Sequence, residues 1–183
     1  LDRLEELSKK QGELIGICSG FKAVDGVTQG LQKEDLIVIA GRPSMGKTSL
    51  AMNIAENVAK EEDGCVLVFS LEMSSESLTS RMLASMAGIS QQSFKSANLT
   101  DRQWEKTIQK AKKLESMNIH IDDKPNISPM EIRAKARRLA KQYRKDGGVK
   151  LVVVDYIQLM QMPGRTENRV NELSDISRSL KYL

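Results

Sequence analysis

Three runs of consecutive, mostly β-branched apolar residues stand out along the chain: Leu36 to Ala40 (LIVIA), Cys65 to Ser70 (CVLVFS) and Leu151 to Tyr156 (LVVVDY). A weaker fourth lies at Ile119 to Asp122 (IHID). Runs without polar alternation suit strands buried on both faces of a sheet. Between them, apolar residues return at helical spacing. The segment from Thr48 groups Leu50, Ala51, Ile54 and Val58, and a second helix is predicted from Ser75 to about Ala87, stopped by Gly88. Thr100 with Gln103, and Ser128 with Pro129 and Glu131, are reciprocal cap patterns that open two more. The last of these collects Ile132, Ala136, Leu139 and Tyr143 on one side and leaves Arg133, Arg137, Lys141 and Arg144 mostly elsewhere. Strands alternating with helices of this length imply crossover connections, hence an α/β fold with a mainly parallel sheet covered on both faces.

Ahead of this core, Leu1, Leu4 and Leu7 recur among charges until Gly12, which predicts a short amphipathic helix over residues 1–13 preceding a core over 14–183. So short a helix needs a surface to dock on, in this chain or in a neighbouring one. Gly20, Gly26 and Gly30 then fall at turn-like intervals before the first strand.

Composition narrows the class. A chain of 183 residues with 40% hydrophobic content fits one domain of ordinary size. Its two cysteines, Cys18 and Cys65, form no C-x-x-C pattern, which argues against a disulfide scaffold or a zinc site. No basic-then-apolar leader and no apolar run of membrane-spanning length is present, so a cytoplasmic location away from the membrane is expected. The net charge of +4 is unevenly spread, because residues 131–150 hold eight Lys/Arg against Glu131 and Asp146. That window reads either as a solvated helix face or as a surface for nucleic acid or an acidic partner.

The chemistry concentrates where the first strand gives way to a helix. Gly41-Arg42-Pro43-Ser44-Met45-Gly46-Lys47-Thr48 fits G-x-x-x-x-G-K-[ST], the Walker A phosphate loop, between a predicted strand and a predicted helix. Its glycines allow backbone N–H groups to turn inward on phosphate oxygens, and the helix adds its positive dipole end. Lys47 is expected to reach the β- and γ-phosphates, and the Thr48 hydroxyl to ligate Mg²⁺. A second metal partner is expected at the carboxyl end of a neighbouring buried strand, where Asp155 follows LVVV. Glu72 in FSLEM lies two residues past the second strand, at the ligand-facing edge of a parallel sheet. It is a candidate to orient or deprotonate an attacking water, although acidic loop residues are commonplace.

Taken together, GRPSMGKT, FSLEM and VVVDYIQLM resemble the Walker A, glutamate and Walker B motifs of the hexameric replicative DNA helicases of the bacterial DnaB type and their phage counterparts. DISRSLK (Asp175 to Lys181) resembles the helix that follows. The resemblance implies a RecA-like P-loop NTPase that hydrolyses ATP, with Mg²⁺, between subunits of a homo-hexameric ring moving on single-stranded DNA. It implies nucleotide binding by Gly41, Arg42, Pro43, Ser44, Met45, Gly46, Lys47, Thr48 and Ser49, metal support by Thr48 and Asp155, and catalysis by Glu72 and Lys47. QMPGRTENR (Gln161 to Arg169) resembles the region of a central-channel loop, so Arg165, Asn168 and Arg169 are expected phosphate contacts, a solvated surface loop being the alternative. Residues 1–13 resemble the linker helix that docks on the next subunit. A helicase loader and primase are the implied partners.

Set beside that family, the sequence ends at Leu183, ahead of the expected sensor glutamine, later DNA loop and arginine finger, and has no counterpart of the amino-terminal domain. The sheet is therefore expected to be incomplete on its carboxyl-terminal side, with an exposed edge, and this piece alone to have little or no activity. Two other readings stay open: a recombination-type RecA-like ATPase, which SLEM and DYIQLM disfavour, and a non-catalytic module for nucleotide binding or partner docking. His120 and Trp104 read as structural, and the nine methionines as core filling.

Overall fold

The computed structural model describes residues 14–160 and 169–183. In chain order the helices are α1 (Lys22–Thr28), α2 (Lys47–Glu61), α3 (Ser75–Ala87), α4 (Gln91–Lys95), α5 (Asp101–Glu115), α6 (Pro129–Gln142) and α7 (Arg169–Lys181). The strands are β1 (Cys65–Ser70), β2 (Ile119–Asp122) and β3 (Val149–Asp155), and a 3-10 turn covers Ile157–Leu159. The sheet has three strands in the order β2-β1-β3, all parallel.

β1 is central, and its residues divide between two cores as the period of two requires. Val66 and Val68 join Met52, Ala55 and Val58 of α2 and Leu78 and Met82 of α3 on one face. Cys65, Leu67 and Phe69 pack on the other face with Ile132 and Ala136 of α6 and Ile176 of α7. Helices thus flank the sheet on both sides. Local capping follows the sequence closely: Thr100 with Gln103 and Ser128 with Glu131 form capping boxes, Ser74 caps α3, and Gly88 ends it in the left-handed conformation at φ 66°. Arg133, Arg137 and Lys141 of α6 are exposed, as is Arg144 just beyond its end.

Three expectations need correction. The run Leu36–Ala40 is not a buried strand: it makes no ladder among the described residues, and Ile37, Val38 and Ile39 are 52%, 70% and 39% exposed. Among the described residues β3 has β1 as its one ladder partner, so no strand flanks residues 36–40. α2 buries Met52, Ala55 and Val58 rather than Leu50 and Ala51, because it packs against β1 and β3 and not against residues 36–40. The glycine-spaced stretch forms a short helix, α1, tied down by Asp25, whose buried carboxylate accepts the Ser19 N–H at 3.0 Å. Desolvation pushes the Asp25 pKa up, but hydrogen bonds from Ser19, Cys18 and Gly20 together outweigh it and hold the carboxyl below its usual range.

Among the described residues no helix is long and apolar enough to cross a membrane. The predicted helix over residues 1–13 lies outside the described residues.

Candidate active site

The candidate phosphate loop occupies Gly41 to Gly46 and opens α2. Ser44 and Gly46 take positive φ values of 64° and 85°, which tightens the turn and brings the chain into the helix. At Gly46 a side chain would meet open space, so the demand for glycine there is conformational rather than steric. The first N–H groups of α2 have no acceptor within the helix and face outward from its positive end, the arrangement that binds anions. Lys47 Nζ donates to the carbonyls of Gly41 (2.9 Å) and Arg42 (3.1 Å), so its ammonium stands across the mouth of its own loop. Residues Gly41 to Gly46 are exposed and Lys47 and Thr48 half-buried.

Two distant residues meet beside the loop. Thr48 Oγ1 donates to Asp155 Oδ2 at 2.7 Å, across 107 positions of sequence. Asp155 ends β3, is 8% exposed, and stands in register with Ser70 at the end of β1. A hydroxyl and a carboxylate at this spacing are hard oxygen donors that suit Mg²⁺, which keeps several waters and substrate oxygens in its shell. Among the described residues no cluster of three or more His, Cys, Asp or Glu side chains forms an all-protein metal site.

Glu72 projects from the turn after β1 and is exposed. Two contacts that the sequence reading missed fix that turn. The Leu71 N–H donates to the Asp155 carbonyl at 2.8 Å, locking the segment before Glu72 to the end of β3. Buried Ser70 accepts the Met73 N–H (3.2 Å) and donates to the Met73 carbonyl (2.7 Å), closing the turn around Glu72. A lone serine ending an apolar run was the available signal, since such hydroxyls favour turns. On the far side, Asp123 after β2 accepts the Ser75 N–H at 2.8 Å and pins the start of α3; that bond holds its carboxyl below the usual range.

The structure thus brings Lys47, Thr48, Asp155 and the Glu72 turn to one edge of the sheet. Ser49 turns elsewhere and lines a cleft between α2 and α3. Arg165 and Asn168 lie outside the described residues. Arg169 is described: its guanidinium donates to the Gln158 and Met160 carbonyls and pairs with Glu172.

Residues 16–183 match the DnaB-like helicase C terminal domain. The chain belongs to this family. It is 44% identical over 183 residues to the replicative DNA helicase DnaC of Bacillus subtilis (strain 168), covering 100% of this chain and 39% of that protein. To the replicative DNA helicase DnaB of Geobacillus stearothermophilus it is 45% identical with the same coverage. Among solved structures, the fold matches a DnaB-like replicative helicase described with its interactions with primase, at TM-score 0.88 and 33% identity over 99% of this chain and 43% of that one. It also matches a second solved structure, that of an ATPase domain, at TM-score 0.89 and 33% identity, over 99% of this chain and 63% of that one. The chain spans 39% of the length of the two curated relatives. Its RecA-like α/β fold, a parallel sheet flanked by helices, is the family's.

Proposed function

We propose that this domain is the ATP-driven motor of a replicative DNA helicase, coupling hydrolysis to movement along single-stranded DNA and to duplex unwinding. The observation that carries the reading is the 2.7 Å contact between Thr48 and Asp155 beside Lys47, in a chain that matches the DnaB-like family from residue 16 to its end. In this reading the loop from Gly41 to Ser49 holds the triphosphate of ATP, and Lys47 neutralises the charge that builds on the transferring phosphoryl group. Thr48 and Asp155 hold Mg²⁺, which supplies charge neutralisation between the phosphates when bound. Glu72 accepts a proton from the attacking water, on a turn that Ser70 and the Asp155 carbonyl keep in place.

Arg165, Asn168 and Arg169 are the proposed DNA phosphate contacts, Arg169 from a guanidinium already anchored on protein acceptors. The working assembly is a homo-hexamer in the cytoplasm with residues 1–13 as its linker, and primase and a helicase loader are its partners. Support for primase is the solved helicase whose interactions with primase are described.

The test is steady-state ATPase activity of the full-length protein with and without single-stranded DNA, beside light scattering for ring formation. DNA-stimulated turnover by a ring supports the motor, whereas ATP binding without any response to DNA replaces it with a docking module. Glu72→Gln is expected to keep ATP binding and lower turnover by about 10²- to 10⁴-fold. Lys47→Ala is expected to weaken ATP binding by at least about tenfold, roughly 1.4 kcal/mol. Wild-type turnover in the first variant removes Glu72 from the mechanism, and unchanged affinity in the second removes the phosphate loop.

A further inference from the structure

We propose that Asp123, in the loop after β2, is a positioning residue for Glu72: its carboxylate holds the far end of the turn that carries the candidate base. The proposal rests on the reading of Glu72 as that base.

The turn from Leu71 to Ser74 is tied to the ends of all three strands of the sheet. At its start the Leu71 N–H donates to the Asp155 carbonyl of β3 at 2.8 Å. In its middle Ser70 of β1 bonds both the N–H and the carbonyl of Met73. At its end Asp123 Oδ2 accepts the Ser75 N–H at 2.8 Å, across 48 positions of sequence. Glu72 is exposed, and its carboxylate makes no hydrogen bond or ion pair with the described residues. The backbone of this turn therefore decides where it stands.

Asp123 is not the ordinary cap of α3. Ser74 fills that role, its hydroxyl accepting the Ser77 N–H at 3.3 Å. Ser75 is the first helical residue, and its N–H is one of the orphan donors at a helix start. A charge-assisted bond from a distant carboxylate fixes the entry into α3 relative to β2, which the local cap does not do. The loop that presents Asp123 is held on both sides. Asp122, in register with Phe69 of β1, pairs with Lys135 of α6 and accepts the Lys124 N–H at 3.2 Å. Lys124 pairs with Glu131, which closes the cap of α6. Asp123 itself is exposed, so loss of its side chain is expected to leave overall stability nearly unchanged.

The test is steady-state ATP turnover by the full-length protein with single-stranded DNA present, with ATP affinity and urea unfolding measured on the same samples. Misplacing a catalytic group by about 1 Å can cost about 10²-fold in rate; because the Ser70 and Leu71 bonds remain, Asp123→Ala is expected to lower kcat about tenfold. ATP affinity and the unfolding midpoint are expected to stay close to wild type. Asp123→Asn keeps an acceptor oxygen and is expected to recover most of the loss. Ser75→Pro removes the donor instead. Proline suits the first position of a helix, and Ser74 already has the extended backbone (φ −66°, ψ 152°) that precedes a proline. This variant is expected to show the same drop, and Asp123→Ala to add nothing to it, since both break one bond. Additive losses overturn the inference, as does a loss of ATP affinity that matches the loss of turnover. Wild-type turnover in Glu72→Gln overturns it together with the base assignment, whereas a strong defect there beside wild-type turnover in Asp123→Ala overturns it alone.

Discussion

Two runs of nearly the same composition, LIVIA at 36–40 and CVLVFS at 65–70, have opposite fates. In β1, Val66, Leu67, Val68 and Phe69 are 1%, 1%, 0% and 2% exposed, with a strand on each side and a helical layer on each face. In the other run Val38 is 70% exposed. Intrinsic β preference is similar in both, so it is not the cause. What differs is the supply of neighbours: β1 has parallel partners in both β2 and β3, and the described residues offer residues 36–40 none. Both runs nonetheless end in candidate catalytic machinery, one in the turn that carries Glu72 and the other in the phosphate loop. The Glu72 turn is therefore held by the core, while the loop is held by α2 and by the Thr48 to Asp155 contact.

The sharpest way to break this comparison is to place the same charge in each run. Val68→Asp buries an uncompensated carboxylate and is expected to cost about 4 kcal/mol or more, a large part of an ordinary domain's stability. Val38→Asp faces solvent and is expected to stay within about 0.5 kcal/mol. Urea unfolding followed by circular dichroism measures both, and equal losses would mean that residues 36–40 are buried after all. Hydrogen exchange reads the same contrast without mutation. Amides of Val66 to Phe69 are expected to exchange only through global opening, and those of Ile37 to Ile39 close to the unprotected rate.

A smaller effect tests how β1 controls its own catalytic end. Ser70→Ala removes the buried hydroxyl that bonds the half-buried Met73 N–H and carbonyl, at an expected cost of about 0.5–1.5 kcal/mol. Because the turn holds Glu72 by its backbone, turnover in the full-length protein is expected to fall while ATP affinity stays close to wild type. Unchanged turnover would mean that the Leu71 and Ser75 anchors fix Glu72 without Ser70.

The elements that depend on local chemistry were legible in the sequence. Thr100, Ser128, Pro129 and Gly88 mark helix ends by side-chain bonding or backbone conformation, and these marks require no knowledge of the rest of the fold. The turn from Gly41 into α2 was legible for the same reason, since eight consecutive residues carry its motif. Asp155 was legible only as a strand end; its meeting with Thr48 needs the register of the sheet. Hydrophobicity along one strand says nothing of its neighbours, which is why Leu36 to Ala40 reads as buried and is not. The facing of Leu50 and Met52 on α2 failed with it, because the helix turns toward the strands that are present.

The smallest effect lies at the start of α6, the helix that covers one face of β1. Glu131 closes the capping box with Ser128 and pairs with Lys124; the Lys124 hydrogen bond first, then the Ser128 N–H and hydroxyl, hold its pKa at about 2. Its ordinary value is 4.5, so the folded chain binds this proton less readily than the unfolded one. The carboxylate therefore stabilises the fold above about pH 4.5, and that contribution is lost as pH falls toward about 2. Glu131→Gln removes the titration while keeping an amide able to complete the cap, and is expected to flatten the acid limb of stability in that window. Superimposable acid limbs would show that Lys124 and Glu131 attract each other as strongly in the unfolded chain. In that case the cap, not the charge, is what this residue contributes to the buried side of the molecule.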